Sequence, residues 1–338
     1  MERRNFIKSA ACFSILGATA GRAQERVVIQ PNTELALRSD LYARLARNGP
    51  FTPARVPVRV TEEKTGRSTL VYVSPDVTSA KLVVFSHGVV AKPRVYAPLL
   101  EFLTTHGFCV VAPLHVDGQV QDLRTRETDE GWRFPELMED MRIWERRMQD
   151  CLDARDSHDR IGKTINIEID ASYPIFMGHS FGAMTGLLLS GARVGTLGGL
   201  AAGQDTDWAG RILLSPPGNG VFGLTQKSWA SLSSPTLTIT NAQDQGIIHQ
   251  PPTAKLDSYF QSPEGYRHLG YLEGGGPSIY SGQRARPKTK EYFLFFDLRG
   301  AVGAFVAAYG TRDTEAFQGL YDGSIEDRSY RLIAIRSR

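Results

Sequence analysis

The chain has 338 residues, of which 41% are hydrophobic and 22% charged, and its formal net charge is +3. This is an ordinary globular balance, and the length suits one large domain or two small ones. Because no run of about 18 apolar residues occurs, we expect no membrane span.

The first 23 residues have the layout of an export signal. Arg3 and Arg4 are followed by N-F-I-K, then by a short apolar run and by small residues that end at Ala23. This order is typical of secretory signals, and the arginine pair resembles a twin-arginine signal. We therefore expect export by the twin-arginine machinery, cleavage near Ala23, and a periplasmic or secreted protein. The alternative is an amphipathic first helix.

Removal of this segment changes the charge balance. The remaining chain has 35 basic and 35 acidic residues, so the basicity belongs to the signal and gives no argument for a nucleic-acid partner. Cys109 and Cys151 lie in separate buried patterns, so two free thiols are expected, although an oxidising compartment leaves a disulfide open. No His/Cys cluster has the spacing of a metal site, and neither a metal nor another cofactor is expected.

After a weakly patterned segment over 24–55, expected to wrap the surface, strand-like and helical patterns alternate. The elements predicted first are two strands around a turn at Thr65–Gly66, a buried strand over 81–86, a helix over 96–106, a buried strand over 108–114 and an amphipathic helix over 136–154. In that last helix the charged residues, Arg147 among them, are expected on a solvated face.

Four further apolar runs are short and bounded by Gly, Pro or Asn: Y-P-I-F-M, R-I-L-L-S, P-T-L-T-I-T and R-H-L-G-Y-L. We expect the last of these to be the last strand of the sheet. Strands that alternate with helices predict an α/β fold with a mostly parallel central sheet and helices on both faces. No linker divides the pattern, so a single domain is expected over 56–338.

The motif G-H-S-F-G spans Gly178 to Gly182, directly after the buried run Y-P-I-F-M and directly before a helix-forming stretch. A strand, a tight turn and a helix in this order predict a nucleophile elbow, which holds Ser180 at the carboxyl end of the sheet. The alternative is an ordinary glycine-rich turn between a strand and a helix.

Acyl transfer also needs backbone donors for an oxyanion. The N–H of Phe181 follows the nucleophile, and the N–H of Val89 follows the strand that ends in F-S-H-G. Both are predicted to form the oxyanion hole. His87, in the same loop, is expected to be a structural hydrogen-bonding residue rather than a base.

With these motifs the chain resembles the α/β-hydrolases, and more narrowly the predicted dienelactone hydrolases and the platelet-activating-factor acetylhydrolase group. The resemblance spans roughly residues 56–310 and is carried by F-S-H-G, K-P-R-V-Y, V-V-A-P-L-H-V-D-G, G-H-S-F-G-A-M-T, S-P-P-G and P-T-L-T-I-T-N-A-Q-D. It implies hydrolysis of carboxylic esters through an acyl-serine, with no cofactor. Dienelactone hydrolases use a cysteine nucleophile, so Ser180 favours the esterase branch.

In this fold the triad follows the order serine, acid, histidine. The resemblance places the acid on Asp244, in the turn after P-T-L-T-I-T; the alternative is a turn-capping aspartate. Aligned on the glycines and on Tyr280, the family's histidine position falls on Pro277, and proline cannot accept a proton.

His249, shortly after Asp244, is the candidate stand-in base. We expect structural or surface roles for the remaining histidines: His106, His115, His158, His179 and His268.

Two functions stay open. The first is an exported serine hydrolase that acts on a small or lipid-like ester and is weakened by the missing histidine or uses a displaced base. The second is a non-catalytic ligand-binding protein with a hydrolase fold. The intact elbow favours the first, and Pro277 argues against it.

Overall fold

The chain is described from a computed structural model. The residues described are 41, 44–62, 65–120, 138–196, 199–203, 207–233, 235–246, 249–325 and 333–338. The export signal predicted over 1–23, and the part of the wrapping segment over 24–40, lie outside these residues.

A single mixed sheet of nine strands organises the described residues, in the order β1-β2-β4-β3-β5-β8-β9-β10-β11. Its strands are β1 (Val58–Thr61), β2 (Ser68–Tyr72), β3 (Ser79–Ser86), β4 (Phe108–Pro113), β5 (Glu168–His179), β8 (Gly210–Leu214), β9 (Thr236–Asn241), β10 (Arg267–Leu272) and β11 (Ile333–Ser337). The strands from β4 to β10 pair in parallel, and antiparallel pairs close both edges. A small hairpin, β6 (Arg193–Thr196) and β7 (Gly199–Ala202), stands apart from this sheet.

The helices are α1 (Ala97–Thr104), α2 (Val116–Val120), α3 (Met141–Asp156), α4 (His158–Ile165), α5 (Phe181–Leu189), α6 (Asp257–Gln261), α7 (Lys290–Phe305) and α8 (Thr314–Tyr321). They cover both faces of the sheet. In β3, Val83 and Phe85 point into one hydrophobic core with α1 and α7, while Leu82 and Val84 point into another with α3 and α4. This two-sided burial explains the continuous apolar run of the strand and confirms the predicted α/β-hydrolase-like fold.

Three sequence expectations differ from the structure. The helix predicted over 136–154 is Met141–Asp156, because Asp140 caps its start by accepting the Arg142 N–H at 3.0 Å. Arg147 is fully buried rather than solvated. The strand β10 is not the last one, since β11 pairs with it antiparallel.

The expectation of two free thiols agrees with the structure. Cys109 and Cys151 are buried free thiols. One helical stretch of the described chain, Lys290–Gly310, is long and apolar enough to cross a membrane, yet 72% of its most apolar window is buried inside the protein. That burial is the usual setting of a core helix.

Candidate active site

Ser180 occupies the turn between β5 and α5 with φ 54° and ψ −113°. A positive φ is uncommon for a residue other than glycine, and it marks a strained nucleophile elbow. The backbone N–H of Ser180 donates to the Leu214 carbonyl at 2.8 Å, and its carbonyl accepts the Met184 N–H at 3.0 Å. These bonds fix the turn to β8 on one side and to α5 on the other.

The two glycines of the motif permit this turn because the backbone passes close to both. A Cβ on Gly178 would lie 2.3 Å from the Gly182 carbonyl oxygen, and one on Gly182 would lie 2.0 Å from the Ser86 carbonyl oxygen. Neither distance is possible for a real Cβ. The glycines therefore let the elbow approach the loop that follows β3.

Two backbone donors flank the elbow. Phe181 is the first residue of α5, so its N–H has no partner within the helix. Val89 lies in the loop after β3, and its N–H bonds to none of the residues that the structure describes. Next to it, Val90 has φ 47°, which is a strained value for a β-branched residue. The N–H groups of Phe181 and Val89 thus have no partner among the described residues, and their role as an oxyanion hole stays a prediction.

A buried ion pair holds this loop in place. Arg147 donates to both carboxylate oxygens of Asp117, at 2.9 and 2.7 Å, and to the carbonyls of His87 at 2.7 Å and Gly88 at 3.2 Å. Asp117 also accepts the Val90 N–H at 3.1 Å. Although burial opposes ionisation, the charge and hydrogen bonds of Arg147 hold the pKa of Asp117 below its usual range. We call this pair, Arg147 with Asp117, the loop brace.

His179, the residue before the nucleophile, points away from bulk water. Its Nδ1 lies 2.7 Å from the Tyr96 hydroxyl, which also accepts the Gly88 N–H at 3.2 Å. Burial, followed by the nearby charge of Lys255, lowers the pKa of His179 to about 3, so the ring is neutral at pH 7. Its Nε2 is buried and bonds to no group in the described part of the chain.

Asp244 follows β9 and is fully buried. Its carboxylate accepts three hydroxyl hydrogen bonds, from Ser215 at 2.9 Å, from Thr240 at 3.1 Å and from Tyr280 at 2.7 Å. Ser215 directly follows the neighbouring strand β8, whose last residue, Leu214, accepts the Ser180 N–H. The acid and the elbow therefore lie at the same edge of the sheet.

Tyr280 makes the contact that an imidazole would make in a triad. Its hydroxyl donates to Asp244, accepts from the Asn241 amide at 3.1 Å, and its ring lies 4.9 Å from the ring of His179. Burial and the Asp244 charge raise the pKa of Tyr280 well above its ordinary value, so it remains a protonated donor. Among the described residues, no histidine bonds to Asp244.

Pro277 and His249 lie near the acid without contacting it. Pro277 is exposed in the turn after β10, and Gly276 beside it accepts the Asn241 amide at 3.0 Å. His249 is exposed with φ 50°, and its side chain has no hydrogen bond within the described chain. The structure does not bring His249 to Ser180 or Asp244, and its role as a base stays a prediction.

The other histidines make structural contacts. His115 bridges the Ser86 hydroxyl and Asp150, both at 2.9 Å, and His87 lies 2.8 Å from the Gly88 carbonyl. His268 lies at the opposite end of the sheet from Ser180, because it is near the start of the parallel strand β10. None of these rings bonds to the nucleophile.

Sequence reasoning missed the loop brace, the Tyr280 contact and a buried lysine, Lys255, near the acid. The burial of Arg147 could have been predicted, because Arg147 follows Trp144 by three residues and so lies on the buried face of α3. Tyr280 and Lys255 lie in 3₁₀ turns, Ile279–Ser281 and Pro252–Leu256, which have no periodic pattern to follow.

Comparison with known proteins adds one match. The model of the family described as Chlorophyllase, an esterase family with an α/β-hydrolase-like fold, matches residues 43–190. The match covers less than half of the chain; it includes Val89, Ser180 and Phe181 and ends before Asp244. A search of curated proteins finds no match. The chain thus has an α/β-hydrolase-like fold, and the part that carries the nucleophile elbow is similar to the Chlorophyllase family of esterases.

Proposed function

We propose that the protein is a serine hydrolase that cleaves a small or lipid-like carboxylic ester through an acyl-serine. The observation that carries the proposal is the strained backbone of Ser180, which stands between β5 and the N-terminus of α5 as the serine of a nucleophile elbow does. Strain of this kind is costly and clusters at active sites. The similarity of residues 43–190 to an esterase family supports the same reaction class.

In the proposed reaction the Ser180 hydroxyl attacks the ester carbonyl, and the N–H groups of Val89 and Phe181 bind the oxyanion. Each such donor is worth roughly 3 kcal/mol in the transition state. Collapse releases the alcohol and leaves an acyl-serine, which water then hydrolyses. Asp244 serves as the buried negative charge that stabilises the protonated base. No cofactor enters this reaction.

A fluorophosphonate probe tests the proposal, since it labels only an activated serine. We expect covalent labelling of the wild type and of Ser172→Ala, which changes an exposed serine, and none in Ser180→Ala. Hydrolysis of short p-nitrophenyl esters should follow the same pattern. If the wild type is neither labelled nor able to hydrolyse these esters, the proposal of a serine hydrolase is wrong.

The second candidate is a non-catalytic binding protein, and the Tyr280 contact favours it. The phenol donates to Asp244, and no histidine of the described residues bonds to that carboxylate or to Ser180. In that case the Ser180→Ala protein should bind a hydrolysis-resistant ester analogue as the wild type does, and neither protein should turn over an ester.

A further inference from the structure

Lys255 is a buried lysine close to the candidate active site. It lies in the 3₁₀ turn Pro252–Leu256 after β9, and only 2% of its surface is exposed. Burying an ammonium group is expensive unless it is paired, so lysine is among the residues least often found inside proteins. The burial of a lysine at this position therefore calls for an explanation.

Lys255 lies near the loop that carries the acid. Its charge acts on His179, the residue before Ser180, and the charge of Asp244 acts on Lys255. A Cβ built on Gly246, two residues after the acid, would lie 3.5 Å from the Lys255 Nζ. The ammonium is thus directed toward the loop that carries Asp244, beside the end of β5.

No carboxylate of the described residues lies within 4.0 Å of the Lys255 Nζ. Asp257, the next acid along the chain, bonds instead to the Asn219 N–H at 2.9 Å and to the Gln261 amide at 2.8 Å. Asp244 is satisfied by three hydroxyl groups. Lys255 therefore forms no salt bridge with a described carboxylate, so the cost of burying its ammonium is not offset by a direct ion pair.

Burial lowers the pKa of Lys255 from the ordinary lysine value, and the charge of Asp244 opposes part of that decrease. His179, whose pKa is lowered by burial and by the charge of Lys255, is neutral at pH 7 and adds no charge. Lysines with lowered pKa values serve as general bases because the neutral amine has a free electron pair.

We propose that Lys255 is the base that accepts the proton of Ser180, in the role that a histidine has in the usual triad. This inference rests on the proposed ester hydrolysis. Of the alternatives, His179 is bonded to Tyr96, Tyr280 is a donor to Asp244, and His249 is exposed without a contact to either residue.

The neutral Lys255 amine takes the Ser180 proton as the serine oxygen bonds to the ester carbonyl carbon. When the carbon–oxygen bond of the ester breaks, the Lys255 ammonium returns that proton to the departing alkoxide. The amine then takes a proton from water, whose hydroxide adds to the acyl-serine. Collapse frees the acid, and the ammonium reprotonates Ser180.

Substitution of Lys255 tests the role. We expect Lys255→Met to lower kcat and the rate of fluorophosphonate labelling by about 10²- to 10⁴-fold, the usual contribution of a general base. Lys255→Arg should not restore the rate, because a guanidinium stays protonated. Lys163→Met, which changes an exposed lysine on α4, is the control and should behave as the wild type.

A titration that does not depend on activity accompanies these variants. In protein labelled with ¹³C-lysine, the Cε resonance that Lys255→Met removes should titrate below the ordinary lysine value, and lower still in Asp244→Asn. A midpoint at or above the ordinary value would overturn the inference.

The two proposals fail in different ways. If the wild type is labelled at Ser180 and Lys255→Met is labelled equally fast, the base is not Lys255 and the hydrolase stands. If the wild type shows no labelling that depends on Ser180, both proposals fall.

Discussion

Tyr280 donates to Asp244, as a triad histidine would, and its ring lies tilted against the ring of His179. A histidine introduced at Pro277 would have to compete with this phenol for the carboxylate. The phenol is a charge-assisted donor, and such bonds are stronger than neutral ones. Restoring the family's histidine therefore requires a change at Tyr280 as well.

We expect Pro277→His alone to give little esterase activity, and Pro277→His with Tyr280→Phe to give at least about tenfold more. Both are compared in a Lys255→Met background, so that the proposed native base does not mask the gain. Hydrolysis of p-nitrophenyl acetate is the measurement, and Tyr280→Phe alone is the control. Equal activities in the single and double variants would show that the phenol does not block the position.

His268 carries a pH dependence of stability. It is buried between the Ser337 hydroxyl at 2.6 Å and the Tyr309 hydroxyl at 2.7 Å, and burial lowers its pKa to about 4. Between that value and the ordinary 6.5 the unfolded chain binds more protons than the folded one. This contribution to stability is therefore complete above pH 6.5 and is lost as the pH falls from 6.5 to about 4.

At pH 5 this loss amounts to on the order of 2 kcal/mol relative to pH 7.5. Urea unfolding of His268→Gln should show a pH dependence that is smaller by that amount, whatever the variant loses at both pH values. An unchanged difference between pH 5 and 7.5 would assign the dependence to other buried groups, such as His179.

The sequence allows us to predict the position of residues that follow buried strands. Ser180, Val89 and Asp244 each follow an apolar run, and the carboxyl ends of parallel strands meet at one edge of a sheet. Lys255 and Tyr280 could not be placed in this way, because the path of a loop or a 3₁₀ turn depends on tertiary contacts that no local pattern encodes.

At the scale of elements, α3 does more than cover the sheet. It presents Arg147 to the loop after β3, where the guanidinium bonds to Asp117 and to the carbonyls of His87 and Gly88. The Val89 N–H lies in the segment so held. One helix thus sets the position of a backbone donor that belongs to a different strand.

We expect Arg147→Met to lower the free energy of unfolding by about 3–5 kcal/mol, because it leaves Asp117 buried and unpaired. Arg146→Met changes a half-exposed arginine on the same helix and should cost about 1 kcal/mol or less. Urea unfolding at pH 7.5 measures both, and similar losses would contradict the buried brace.

A double variant separates stability from positioning. Arg147→Met with Asp117→Leu should recover part of the unfolding free energy, since no buried charge is left unpaired. It should not recover kcat, because the carbonyls of the loop have lost their donor. Recovery of both would mean that the brace serves stability alone.

At the scale of the whole molecule, the alternation of strands and helices was predictable, whereas the edges of the sheet were not. The buried strands β3 and β4 are continuous apolar runs, and the other parallel strands contain short apolar runs, which sequence reveals directly. The strand β11 joins β10 from far along the chain, and the hairpin β6–β7 follows α5 without a strong pattern. Pairing between strands that lie so far apart in the sequence depends on tertiary contacts, which no local pattern encodes.

Three adjacent strands end in residues with positive φ: Val90 after β3, Ser180 after β5 and Ser215 after β8. Each conformation costs about 1–3 kcal/mol for a residue with a side chain. The edge of the sheet that carries the candidate site is therefore a place where the fold stores strain, and the hydrophobic cores on both faces offset it.

This strain implies that the Ser180 side chain, which the proposed catalysis requires, lowers the melting temperature of the protein. Ser180→Gly removes the Cβ and should raise the melting temperature by a few degrees, while Ser180→Ala, which keeps the Cβ, should not. Differential scanning calorimetry compares the two, and equal melting temperatures would argue against strain at this residue. If the prediction holds, the most durable form of this protein is one that can no longer form an acyl-serine.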